Sequence, residues 1–235
     1  MTTDEILAEI ERMGTPTIKK IFQNHGAPEP IYGCKIEDLK KILKHHKNNT
    51  PLALELFDTG VSDAMYLAGL MAVPGELTKS QLQKWAKKAT WHMISEFTVP
   101  GVAAESEHGL DLAVEWIASK QEKIAASGWA TWNALIGIKP NDELDFKLIE
   151  KHLKQIEKSI NHQPDRVRLG MNGFIIAVGC YIPELAKEAK RVAKAIGKVE
   201  ADMGNTSCKI PDAQEYIAKV EKMGRQGKKR KSARC

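Results

Sequence analysis

DELDFKLIEKHLKQIEKSINHQPDRVRLGMNGFIIAVGCYIPELAKEAKRVAKAIGKVE, residues 142–200, decides the fold. Apolar residues recur at spacings of three and four over 142–159, 165–181 and 184–200, which is the period of a helix with one buried face. Pro164 and Pro183 mark the two breaks, because proline has no N–H to continue a helix. The same reading extends outward. A Thr2-x-x-Glu5 capping box opens a helix carrying Ile6, Ile10 and Met13. Ile36, Leu39, Ile42 and Leu43 mark another, and Leu52, Leu54, Leu56 and Phe57 a shorter one. Thr78-x-x-Gln81 opens a helix with Leu82, Trp85 and Ala89, and helical patterns follow over 109–119 and 122–137. Further breaks are expected at Pro51, Pro74, Pro100, Pro140 and Pro211. No stretch alternates with period two, so the chain reads as all-α.

Short helices on short connections pack as antiparallel neighbours. The pairs recur at roughly 40 residues, the spacing of HEAT-type arrays. Ten or more modest helices do not fit around one small core, so the expected architecture is a HEAT-like helical-repeat solenoid, with antiparallel pairs in an arc around a concave groove. The expected division is one helical domain over 1–221 and a basic tail over 222–235.

The tail is KMGRQGKKRKSARC, with seven Lys/Arg and no acid against a chain total of +5, which leaves residues 1–221 at −2. Lys228, Lys229, Arg230 and Lys231 are its densest stretch, and concentrated positive charge fits a polyanion, since each phosphate contact releases counterions. A solvated tail with no partner is the other reading of the same residues. The longest weakly polar run, Leu169 to Ile182, is too short for a bilayer span and contains Asn172. Cys34, Cys180, Cys208 and Cys235 are scattered without a CxxC pair, which fits reduced thiols in a cytoplasmic protein and argues against a zinc site. No phosphate-binding loop, dinucleotide fingerprint, metalloprotease, hydrolase or kinase motif is present, and the seven histidines are dispersed. Neither a metal nor a cofactor is expected.

Three places bear candidate chemistry. In KATWHMISEF, Trp91 and Ser95 share a helix face, as do His92 and Glu96, the latter pair being either an acid–base couple or a surface contact. In GWATWNALIG, Trp129 and Trp132 share a face, as core residues or as a stacking platform for bases. In PDRVRLGMNGF, Arg166 and Arg168 stand at the head of a helix, suited to a phosphate, with Asp165 as a possible cap.

FQNHGAPEPIYGCKIEDLKKILK, the Trp91 region and RLGMNGFIIAVGCYIPELAKEAKRVA, in that order, resemble the DNA alkylation repair (AlkD-like) family of HEAT-repeat glycosylases. The ending from Asp202 resembles the extension carried by one branch of that family. The resemblance implies a groove that holds double-stranded DNA bearing a cationic alkylated purine, such as 3-methyladenine or 7-methylguanine. It also implies cleavage of the N-glycosidic bond without insertion of the base into a pocket. A base already positive is a good leaving group, so what remains is to stabilise an oxocarbenium-like sugar with a carboxylate and aromatic faces and to position a water. Carried over by position, the groove tryptophan falls on Trp91 and the catalytic aspartate falls on Ser95. Glu96 is turned by about 100° from Ser95 and substitutes only if the helix is shifted there. A second groove tryptophan falls on Phe174, and a lesion-facing arginine on Trp132, with Arg166 and Arg168 as replacements.

The expected function is therefore that of a monomeric DNA-binding alkylation-repair protein with excision activity reduced or lost. Ser95 and Glu96 are its candidate catalytic positions. Trp91, Trp132, Phe174, Arg166, Arg168 and the tail cations are its candidate DNA contacts. The alternative is a non-catalytic α-solenoid that binds DNA structures or acidic proteins.

Overall fold

The computed structural model describes residues 1–234. Helix makes up 70% of the chain, and the described residues contain no strand. The helices group into two compact units. The first, Met1–Leu112 with Met203–Ser207 and Arg234, carries α1 (Thr3–Met13), α2 (Pro16–Asn24), α3 (Ile36–His46), α4 (Thr50–Asp58), α5 (Ser62–Met71), α6 (Lys79–Lys88) and α7 (Val99–Glu105). The second, Ala113–Asp202 with Cys208–Ala233, carries most of α8 (Gly109–Ile117), then α9 (Glu122–Ile138), α10 (Phe146–Ser159), α11 (Asp165–Tyr181), α12 (Ala186–Ile196) and α13 (Ala213–Lys222). Among the described residues no single helix is long and apolar enough to cross a membrane.

Local sequence sets the helix starts. The Glu5 N–H donates to Thr2 Oγ1 at 3.3 Å while Glu5 Oε2 accepts from the Thr2 N–H at 2.8 Å, and Thr78 and Gln81 make the same reciprocal pair. One expected break is absent. Met93–Thr98 forms a π-turn that runs directly into α7 through Pro100. The Pro100 ring would collide with the carbonyl four residues back in an α-turn, and a wider turn relieves that collision.

In the first unit, Phe57 of α4 stacks on Trp85 of α6 with ring centroids 4.1 Å apart, both buried. Asp63, in the first turn of α5, is only 4% exposed. Its carboxylate accepts backbone N–H bonds from Tyr32 and Cys34, both at 2.8 Å, and a longer one from Gly33 at 3.4 Å. Three donors on one buried carboxylate fix the 30–34 loop against α5. Gly33 has φ +78°, and a Cβ there would meet the Lys19 backbone, so only glycine serves.

In the second unit, α9 and α11 are the most buried helices and pack along each other. Gly128 of α9 allows close approach to α8, since a Cβ would come within 2.8 Å of the Trp116 carbonyl carbon. Helices α10 and α12 lie beside each other, each with one buried and one exposed face.

Asp63→Asn keeps the shape but places an amide NH2 against at least one of these backbone donors. The expected cost is about 2–4 kcal/mol of unfolding free energy, read as a lower denaturant midpoint.

Candidate nucleic-acid interface

The turn after α6 holds three sequence-predicted residues together in the first unit. Trp91 is 7% exposed, tilted over Phe22 at 5.6 Å and edge-on to His92 at 4.9 Å. It lines a small cavity with Phe22, Cys34, Ser62, Tyr66 and Met93, and its Nε1 has no hydrogen-bond partner among the described residues. The Ser95 N–H donates to the Trp91 carbonyl at 2.9 Å, so the first turn is still α. Beyond it the backbone widens, and the Val99 N–H donates to the Ile94 carbonyl, five residues back. Ser95 is 3% exposed, whereas Glu96 is partly exposed. Glu96, at the start of the widened stretch, is the carboxylate of this turn that reaches solvent. The other two carboxylates nearby in sequence are differently disposed. Glu105 is paired with Arg234 at 2.8 Å, and Glu107 is exposed beside His108.

Burial pushes the Cys34 thiol up to about 12, helped by the charges of Asp63 and Asp38, so it is an unreactive core thiol.

In the second unit, Trp132 and Phe174 are brought together, but in the core. Both are fully buried, with centroids 6.1 Å apart, in a cluster completed by Trp129 and His152. Their faces are covered by one another, so the expectation that they touch DNA does not hold in this structure. The core reading of aromatics at helical spacing is the one realised. Asn172 is likewise buried and donates to the Pro211 carbonyl at 2.9 Å.

Arg166 and Arg168 stand in the first turn of α11, as expected. The Arg168 guanidinium is ion-paired with Asp165, whose other oxygen accepts the Asp202 N–H at 3.0 Å. That backbone hydrogen bond, with Arg168, holds the Asp165 carboxyl below its ordinary value. Asp165 therefore engages the chain at Asp202 and does not cap the helix, whose N-cap is Pro164. The Arg166 N–H donates to Glu122 Oε1 at 2.9 Å, tying α11 to α9.

The tail differs most from expectation. Residues after Lys222 pack as a strap over helix C-termini. The Gly227 N–H donates to the Cys180 carbonyl at 2.8 Å and Gln226 Nε2 to Gly179 at 3.0 Å, both at the end of α11. Lys229 Nζ donates to Ile136 and the Arg230 N–H to Gly137, each at 2.8 Å, at the end of α9. In the first unit, Arg234 Nη1 donates to Gly69 at 3.1 Å and to Ala72 at 2.7 Å, at the end of α5. The last carbonyls of a helix lack partners and carry its negative dipole end, so cations suit these positions. Burial pushes the Lys229 amine down to about 8. Lys228, Arg230 and Lys231 remain exposed.

No group of three potential metal ligands occurs among the described residues.

Fold and site together define a helical-repeat protein with a buried tryptophan beside a π-turn that carries one acid. Residues 6–217 match the family described as DNA alkylation repair enzyme. The chain is 36% identical over 227 residues to the uncharacterized protein Lin0241 of Listeria innocua, covering 94% of this chain and 97% of that one. It is 35% identical to Lmo0209 of Listeria monocytogenes, another uncharacterized protein, with the same coverage. A solved structure described as "a new family of proteins related to the HEAT-like repeat DNA glycosylases with affinity for branched DNA structures" superposes at a TM-score of 0.93. It is 34% identical to this chain, and all of both chains is covered. The chain belongs to the DNA alkylation repair enzyme family, and its fold is the HEAT-like repeat of the DNA glycosylases.

Two outcomes follow from the second unit. Burial lowers the His152 pKa below its ordinary value, with Lys151 adding to the effect and Gln155 opposing it, and neither ring nitrogen has a well-formed hydrogen bond. The unfolded chain therefore binds a proton near pH 6.5 before the folded one does, and stability falls as pH drops from about 7 toward 5. Melting curves across that range should show the fall, and His152→Leu should remove its share. Deleting residues 225–235 uncaps helix ends, and should lower the melting temperature by several degrees, on the order of 2–3 kcal/mol.

Proposed function

We propose that this protein binds DNA by its shape, favouring branched or distorted duplexes, and that its release of alkylated purines is weak or absent. The observation that carries this reading is Ser95, a buried hydroxyl four residues after Trp91 where excision of the family type requires a carboxylate. As an alkylpurine departs, the sugar becomes cationic, and a hydroxyl answers that charge only with a dipole. Loss of one such electrostatic stabiliser costs about two to three orders of magnitude in rate. The burial of Trp132 and Phe174 points the same way, because no second aromatic face from these positions is free to flank a deoxyribose. Affinity for branched DNA, described for the solved relative, gives the ligand class that fits a fold retained without its catalytic carboxylate.

The π-turn favours a second reading, in which Glu96 supplies the negative charge and slow excision persists on the least stable lesions. Arg166 and the exposed Lys228, Arg230 and Lys231 serve as phosphate contacts in both readings.

The test has two arms. In gel shifts the protein should bind a four-way junction more tightly than a linear duplex of equal length, and equal affinity for the two overturns the shape preference. With methylated duplex DNA, little 3-methyladenine or 7-methylguanine should be released, and Ser95→Asp should raise 7-methylguanine release about 100-fold. Slow wild-type release of 3-methyladenine that Glu96→Gln abolishes establishes the second reading, and strong release overturns the first.

A further inference from the structure

Helix α10 carries its cations in one line. Lys147, Lys151, Lys154 and Lys158 are all exposed, at relative positions zero, four, seven and eleven. At 100° per residue they fall within a sector of about 60°, centred opposite the buried Ile149, His152, Leu153 and Ile156. The line is about 16 Å long. On the neighbouring α12, Lys187 and Lys194 are exposed opposite that helix's own buried face. Arg191 lies between them and joins the two helices through Glu157 of α10 at 2.7 Å, and it also pairs with Glu188 at 2.8 Å. Lys158 and Lys154 feel Glu157 and Glu188 only through space, since Arg191 holds the direct contacts. Among the described residues, none of the six lysines makes an ion pair or a side-chain hydrogen bond.

Such an arrangement works against the helix itself. Lys147 with Lys151, and Lys154 with Lys158, are like-charge pairs four residues apart, which destabilise a helix. A solubilising face would interleave acids, but Glu150 lies toward the flank and the other acid, Glu157, is held by Arg191. The missing countercharge is a linear array of anions. A DNA duplex carries about one negative charge per 1.7 Å of axis, so a 16 Å line of four cations matches a stretch of its backbone without any need to read bases.

We infer that the exposed faces of α10 and α12 form a DNA-backbone contact surface of their own, directed away from the Trp132–Phe174 core. The inference rests on the DNA-binding reading above and adds to it a surface that neither the tail nor the head of α11 supplies. Phosphate contacts on more than one face suit DNA that turns away from a single axis.

The experiment uses the 235-residue chain with Lys147, Lys151, Lys154 and Lys158 all changed to Gln. Because these side chains are exposed and make no ion pair, and their mutual repulsion is removed, the melting temperature should hold or rise slightly. Binding to a four-way junction is measured over a salt series. The slope of log affinity against log salt should become shallower by about 3, with affinity falling at least about tenfold near 0.1 M salt. Independently of any variant, bound junction DNA should protect these four lysines of the wild-type protein from acetylation. An unchanged slope together with unprotected lysines overturns this inference while leaving DNA binding intact. Failure of the wild-type protein to bind any DNA overturns both readings. Loss of binding to phosphatidylserine vesicles, with junction binding and its slope unaltered, assigns the face to a membrane and also overturns the inference.

Discussion

The constraint on which much of this structure depends is that a helix ends in carbonyls with no partner. Here α5, α9 and α11 end on buried or half-buried chain, where water is a poor substitute. The C-terminal strap supplies the donors: backbone N–H groups from Gly227 and Arg230, the Lys229 ammonium, and the Arg234 guanidinium. Donation and charge act together, because the C-terminal end of a helix is also its negative pole. The low position of the Lys229 amine shows the opposing force, since desolvation disfavours the cation that the helix end attracts.

A second constraint shapes the candidate site. Pro100 cannot sit in an unbroken α-turn, and the chain answers with a π-turn where a break would otherwise come. The consequence is a one-residue change of register between Trp91 and α7. Within this stretch Ser95 is buried, while Glu96 is partly exposed.

Much of the fold was legible in the sequence because it depends on period and punctuation. The patterns over 109–119, 122–137 and 165–181 coincide closely with α8, α9 and α11, and both capping boxes form. Helix α5 gave no such signal, since it is buried nearly all round and its apolar residues show no face. The passage through Pro100 was equally hidden, because local rules treat proline as an end. The site was less legible. Trp132 and Phe174 have the spacing and chemistry of stacking residues, but spacing does not reveal what covers a ring, and the partners that cover these come from α9, α10 and α11 together. Asp63 was invisible for a similar reason. An acid in the first turn of a helix is ordinary, and its distinction lies in donors thirty residues earlier.

The distribution of charge shows why net charge misleads here. The tail accounts for the chain's positive excess, yet Lys229 and Arg234 hold the protein's own carbonyls. Residues 1–221 sum to −2, yet α10 sets four exposed lysines in a line and α12 adds Lys187 and Lys194, with acids at the flanks or in ion pairs. A polyanion responds to the potential within about a Debye length, roughly 8–10 Å at ordinary salt, and not to a sum over the molecule. A cationic line some 16 Å long therefore presents a local attraction that the sum conceals, while part of the tail's charge is already answered inside the fold. Reading function from charge requires asking, cation by cation, which anion it already has.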